Sequence, residues 1–241
     1  MPGMGTIINA AAIVLGGAAG LLFGRFFSEQ KQDTLSKACG ISVLFIGIGG
    51  ALEGMLTVDG PAVASGKGML ITICLAAGAL IGELLGIEEL FERFGRWLKV
   101  KTGSAKDKRF VEGFVTASLT VCIGAMAIVG AVQDGLEGDY SILATKAILD
   151  FIIILVMTCS LGKGCLFSAI PVLILQGGVT ALAQLIKPLM TEAALANLSM
   201  IGSVLIFCVG VNLVWGKKVR VANLLPAVVL AAGAAFLPFS F

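Results

Sequence analysis

Lys146 and Asp150 stand four residues apart in SILATKAILDFIIILVMTCSL, residues 141–161, a run otherwise long and apolar enough to cross a bilayer. At 1.5 Å per residue, Asp150 lies roughly 13–14 Å down a helix from Ser141, near the middle of a hydrocarbon core about 30 Å thick. A carboxylate at that depth costs about 2.5–3.5 kcal/mol on insertion scales. Such residues turn toward protein or water and mark solute, ion or proton paths. The i, i+4 spacing puts both side chains on one helix face, where pairing lowers the cost of burying either charge. Two roles fit this pattern. The pair is structural and fixes its helix in a bundle, or it is functional, with Asp150 binding a cation or proton and Lys146 holding it ionised or competing for it.

Other polar side chains sort by depth along the apolar runs. Asn9, Glu53, Gln133 and Asp134 fall in the same half of the membrane as Lys146 and Asp150, with Gln176 near the middle. Glu83, Glu112, Lys163, Asn212 and Asn223 fall in the other half. The expected path therefore has Asp150 as its cation or proton site and Gln176 and Asn9 as polar lining. Gln133 and Asp134 form the outer vestibule and Glu112 the inner exit. In SAIPVLILQGG, Pro171 removes a backbone donor and Gly177-Gly178 permits a bend, so a kink or a helix break at Pro171, Gly177 and Gly178 is expected. Broken helices expose backbone dipoles to ions and substrates at mid-membrane depth.

Catalytic and metal chemistry finds little support. The chain has no histidine, which removes imidazole ligands and bases, and it carries no P-loop, HExxH, dinucleotide-binding or GxSxG motif. Six cysteines (Cys39, Cys74, Cys122, Cys159, Cys165 and Cys208) sit in or beside apolar runs without a CxxC, as small buried hydrophobes do. No enzyme, cofactor, metal site or nucleic-acid partner is expected. Net charge is only +2 and is spread over loops.

The elements that must position these residues are helices. Of 241 residues 58% are hydrophobic and 13% charged, and the mean hydropathy is +1.02, far from the soluble balance of about 25% charged. The fold class is an all-α polytopic membrane protein, one transmembrane domain over residues 1–241. About eight spans are expected, near 4–24, 36–56, 68–87, 113–133, 141–162, 166–186, 195–216 and 221–239. The first lacks a preceding basic residue and reads as a permanent helix rather than a cleaved signal.

Fourteen of the seventeen Lys and Arg residues fall in the loops after odd-numbered spans, and Lys67, Lys146 and Lys187 are the other three. The positive-inside rule then makes the basic end cytoplasmic, with both termini outside a bacterial inner membrane. Between spans 3 and 4, IEELFERFGRWLKV puts Ile87, Leu90, Phe91, Phe94, Trp97 and Leu98 on one face, so an amphipathic helix near 87–100 is expected to lie in the interface.

Spans 1–3 and 6–8 share short likenesses, such as GISVLFIGIGGAL with GSVLIFCVGVNLV, and an offset of five spans makes them an inverted repeat with spans 4 and 5 between. Glycines recur every fourth residue at Gly16, Gly20 and Gly24, at Gly50 and Gly54, and at Gly78, Gly82 and Gly86. Such ladders let helices approach closely within one chain, or form the face of a homodimer.

Across spans 4 to 6, FVEGFVTASLTVCIGAMAIVGAVQDGLEGD, TKAILD and LFSAIPVLILQGG resemble the bacterial domain-of-unknown-function 554 family (YdfK/YqgA-like). GTIINAAAIVLGGAAGLLFG and VRVANLLPA extend the likeness to both ends of the chain. The family pattern is matched at Glu112, Gly113, Gln133, Asp134, Gly135, Lys146, Asp150, Pro171, Gln176 and Gly177. The resemblance implies an inner-membrane protein of a kind labelled as transport protein, and it brings no substrate. The reading at this level is a secondary transporter or channel-like permease for a small solute or ion, working within the lipid bilayer between spans 1, 4, 5 and 6. The alternative is a non-transporting membrane scaffold or sensor subunit in which Lys146–Asp150 is structural.

Overall fold

The computed structural model describes residues 2–59 and 62–236. The described chain is almost wholly helical: α1 (Met4–Gly24), α2 (Glu29–Met55), α3 (Gly68–Leu85), α4 (Ile87–Lys101), α5 (Phe110–Cys122), α6 (Ala125–Glu137), α7 (Ser141–Leu161), α8 (Ala169–Ala181), the short α9 (Ala183–Ile186), α10 (Glu192–Trp215) and α11 (Leu225–Ala234). A two-stranded antiparallel ribbon, β1 (Leu56–Asp59) with β2 (Ala62–Ser65), links α2 to α3 and pairs Leu56 with Ser65. Tight 3-10 turns at Lys163–Ser168 and Val221–Leu224 lead into α8 and α11.

Among the described residues six helical stretches are long and apolar enough to cross a membrane, and the bent pair α5–α6, counted as one span, makes a seventh. The expected eighth span is not among them. Val221–Ala234 is a shorter apolar stretch, and Pro226 sits in the first turn of α11. Residues 237–239 of that expected span lie outside the described residues.

Glycine contacts fix the packing. A Cβ on Gly16 or Gly20 would stand 2.5 Å from the Phe151 or Leu155 carbonyl oxygen, so α1 and α7 run parallel in backbone contact. On α2, Gly40 faces Val214, Gly47 faces Phe207 and Gly54 faces Met200, so α2 and α10 run antiparallel. Gly78 and Gly82 of α3 likewise meet Ala227 and Asn223 beside α11. The ladders Gly16/Gly20/Gly24, Gly50/Gly54 and Gly78/Gly82 are thus occupied within the chain, and Gly86 instead ends α3 in the left-handed conformation at φ 60°. A homodimer would have to use another face.

Two large apolar cores result, besides a smaller cluster of Leu98, Phe110 and Phe114. One unites α2, α3, α10 and α11 around Val43, Cys74, Met200, Leu205 and Ala227. The other unites α1, α7 and α8 around Ile13, Ile154, Met157 and Val172. Helix α5 contributes to both, with Leu119 in the first, beside Ile123 just past its end, and Ala117 and Val121 in the second. The bent pair α5–α6 therefore stands between two bundles. Following the chain up and down, the loops rich in Lys and Arg gather at one end and the β ribbon, with the start of α1, at the other.

Two local expectations differ from the structure. Helix α8 is not broken: Pro171 falls in its first turn, where backbone N–H groups lack helical partners anyway, and the helix runs unbroken through Gly177 and Gly178 to Ala181. The break lies instead between α5 and α6, which meet at 63°. There Ile123 is extended and Gly124 takes φ 146°, ψ 149°, a conformation open essentially to glycine alone. The amphipathic segment is the helix α4 as expected, but only part of its apolar face is exposed. Phe94 packs 5.7 Å from Phe114 of α5 and Leu98 is buried, whereas Leu90 and Trp97 remain more than half exposed.

Candidate functional site

The break in α5–α6 and the ion pair on α7 belong together. A helix leaves its last carbonyls without intrahelical donors and carries a partial negative charge at that end. Because α5 stops at Cys122, the Val121 carbonyl is free, and Lys146 Nζ donates to it at 2.8 Å. The same ammonium lies 2.5 Å from Asp150 Oδ2, and both side chains are buried. Lys146 is thus held by a carboxylate on its own helix and by the C-terminal dipole of a half-helix.

Asn9 of α1 and Gln176 of α8 close the same region from the other side. Gly5 abuts Leu143 and Gly16 abuts Phe151, so Asn9 stands at the level of the 146–150 turn. Its amide donates to Gln176 Oε1 at 3.3 Å, and both residues are fully buried. Asn9 Oδ1 and Gln176 Nε2 have no hydrogen-bond partner. Exchanging the amide assignments only swaps which residue keeps the spare donor and which the spare acceptor. Leaving such groups unmet costs about 1–3 kcal/mol each, so the pair is poised to meet a polar species with both hydrogen-bonding functions.

Asp134 is the second buried carboxylate. Its Oδ2 accepts from the Gly5 N–H at 3.0 Å, capping the positive end of α1 from a distance of 129 residues in sequence. Its Oδ1 has no partner, nor has the buried Thr6 Oγ1 on the next residue of α1. Among the described residues no Lys or Arg pairs with Asp134. Asp150 is neutralised inside the protein, and Asp134 is not.

The remaining expected site residues lie apart. Gln133 is half-buried at the rim and donates to Asp139 Oδ2 at 3.2 Å. The Ser141 N–H on Asp139 Oδ1 holds that carboxyl below its usual range. Glu112 is exposed at the basic end, where it lines a cavity of about 330 Å³ with Glu88, Glu92, Asn212 and Lys217, away from the Asp150 cluster. Lys217 lies 2.8 Å from Glu88 and 2.6 Å from Glu92 there. The Lys217 hydrogen bond lowers Glu92, and although burial pulls Lys217 down, its two carboxylate partners leave it raised. A larger, almost wholly apolar hollow of about 660 Å³ opens beside the break, lined by Phe91, Phe114, Gly124, Pro171 and Ile174 among others. Asp150 lines none of these cavities. Below it, Ile154, Ile13, Met157 and Val172 belong to a buried apolar cluster on the way to Thr158 and the basic end.

Sequence reasoning passed over Thr6, Thr158 and the Val121 carbonyl. Thr6 precedes Asn9 by three residues and Thr158 follows Asp150 by eight, so following those helix faces would have found both. No side-chain signal marks a freed carbonyl. Among the described residues there is no group of three His, Cys, Asp or Glu placed to hold a metal ion.

The protein of unknown function family DUF554 matches residues 4–236. The chain belongs to this family. It is 27% identical over 237 residues to the "uncharacterized membrane protein YdfK" of Bacillus subtilis (strain 168), covering 98% of this chain and 97% of that one. It is 31% identical over 232 residues to the "uncharacterized protein YqgA" of Escherichia coli (strain K12), covering 95% and 94%. No solved structure matches. The apolar helices and the name of the Bacillus relative agree that this is a membrane protein.

Proposed function

We propose that this family member is a small secondary transporter or permease whose solute path runs between α1, the α5–α6 break, α7 and α8. The observation that carries the reading is the buried cluster at mid-depth: Lys146 bridging Asp150 and a half-helix carbonyl, beside an Asn9–Gln176 pair with unmet hydrogen-bonding groups. Irregular backbone and charge are tolerated at that depth where they line a path or are buried in protein. Asp134 is the second candidate for a cation or proton, because its buried carboxyl lacks a cationic side-chain partner among the described residues. The buried apolar cluster around Ile154 lies on the way toward the basic end, as expected of one state in an alternating-access cycle.

The inverted-repeat plan belongs to the same proposal. It is supported by the antiparallel pairing of α1 with α8, α2 with α10 and α3 with α11, the counterparts that the repeat relates. Orientation follows from charge: the basic end faces the cytoplasm of a bacterial inner membrane, with both termini outside. A non-transporting scaffold is the second reading, favoured by the separation of Asp150 from the cavities above.

The test is flux in proteoliposomes for protons, alkali cations, small anions and metabolites, with Asp150→Asn and Asp134→Asn beside the native chain. Transport predicts flux that one or both variants abolish while the protein remains folded. No flux across the panel, or flux and ligand binding unchanged in both variants, removes the assignment.

A further inference from the structure

A separate hollow of about 380 Å³ with a mixed polar and apolar lining opens at the basic end, between the end of α1, the start of α5 and the turn from α7 into α8. Arg25, Arg109 and Lys163 all line it, and they come from segments far apart in sequence. The one acidic residue among its lining is Asp107, whose Oδ1 is occupied by the Arg109 backbone N–H at 3.0 Å. Among the described side chains, which leave out that of Glu29, none of these three cations has a carboxylate partner, whereas Arg93, Arg96, Lys217 and Arg220 at the same end are each tied to a glutamate. The hollow therefore carries a formal excess of two positive charges.

Arg109 Nη1 donates to the Ser160 carbonyl at 3.2 Å, which fixes the guanidinium at the wall, and among the described side chains its other N–H groups have no acceptor. Thr158 lines the same hollow, but its Oγ1 is buried away from it. The cations lining the hollow form a donor set, and a guanidinium fork matches the oxygens of phosphate and carboxylate.

We infer that this hollow binds an oxyanion, held by Arg25, Arg109 and Lys163. The oxyanion is either a free small anion reaching the basic mouth or the phosphate of an anionic lipid. The site is distinct from the Asp150 path, with the Ile154 cluster on the way between them, so it can hold whether or not Asp150 supports flux.

The full-length protein in neutral detergent is titrated with inorganic phosphate at constant ionic strength, and thermal unfolding reports binding. In parallel, its unfolding is compared in nanodiscs of phosphatidylcholine with and without phosphatidylglycerol. Arg25→Gln and Lys163→Gln are the test variants, both exposed side chains, and Lys187→Gln at the opposite end is the control. Saturable stabilisation by phosphate, weakened about tenfold or more by each test variant and unchanged in the control, establishes a free-anion site. That fold-change goes with losing one hydrogen bond to a charged group. Stabilisation by phosphatidylglycerol alone, lost in both test variants, establishes a lipid-phosphate seat. If neither phosphate nor phosphatidylglycerol acts through Arg25 and Lys163, the inference is overturned.

Discussion

Removing one member of the Lys146–Asp150 pair should cost far more than removing both. Lys146→Met leaves a carboxylate 4% exposed with no other protein cation bonded to it, and Asp150→Leu leaves an ammonium with only the Val121 carbonyl. Breaking a buried pair one-sidedly costs about 3–5 kcal/mol, and exchanging both partners for apolar groups is often near neutral. The double variant still strands the Val121 carbonyl, worth about 1–3 kcal/mol. The singles therefore sum to at least about 6 kcal/mol, the double costs about 1–3, and the non-additivity is at least about 3 kcal/mol. Reversible unfolding in mixed micelles, followed by circular dichroism, measures all three variants. Additivity within about 0.5 kcal/mol would refute the charge-coupled site. Flux through the double variant then separates the roles: a structural pair recovers both stability and flux, and a transport pair recovers stability alone.

The unbroken α8 makes a second prediction. A Cβ at Gly177 or Gly178 meets nothing within 4 Å, so Ala at either should raise stability by about 0.5–1 kcal/mol. Gly16→Ala, aimed at the Phe151 carbonyl, should cost about 1–3 kcal/mol or more, and thermal unfolding reads all three. For pH, Glu92 is depressed in the fold, so its contribution is present above the ordinary carboxylate range and fades as pH falls through its lowered value. Lys217 is raised, so its contribution is full below about pH 10.4 and fades as pH climbs through its folded value. Glu92→Gln should flatten the acid limb of the melting temperature against pH, and an unchanged limb would remove this ion pair from the account. For orientation, an impermeant maleimide should label Val63→Cys on intact cells and Lys106→Cys only after permeabilisation. The reverse pattern would invert the topology.

What the sequence disclosed and what it hid have physical causes. Spans 1, 3 and 5 match α1, α3 and α7 within two residues, because uninterrupted apolar runs of membrane length have few alternatives. Lys146 and Asp150 were legible as a pair because helical spacing alone brings them together. The break was misplaced because Pro171 looks disruptive out of context and is harmless in a first turn. Gly124 lies inside an unpunctuated apolar run, beside other glycines that serve packing. A Cβ there would touch nothing within 4 Å, so its glycine is needed for backbone conformation alone. Sequence cannot separate those two uses. Nor does it reveal that Asp134 reaches across to cap α1, a contact made only by the tertiary fold.

The bent pair is also the element best placed to move. Helix α1 is locked to α7, and α2 to α10, by backbone contacts at successive glycines, so each bundle holds its shape through close packing that tolerates little shear. Helices α5 and α6 instead lean on both bundles and are joined at Ile123–Gly124, where no helical hydrogen bond crosses and one side opens on an apolar hollow. Rotation there would withdraw the Val121 carbonyl from Lys146 and weaken the hold on its charge. In the proposed transport cycle the bend of α5–α6 would thus set how many acceptors hold the Lys146 ammonium, two in this state.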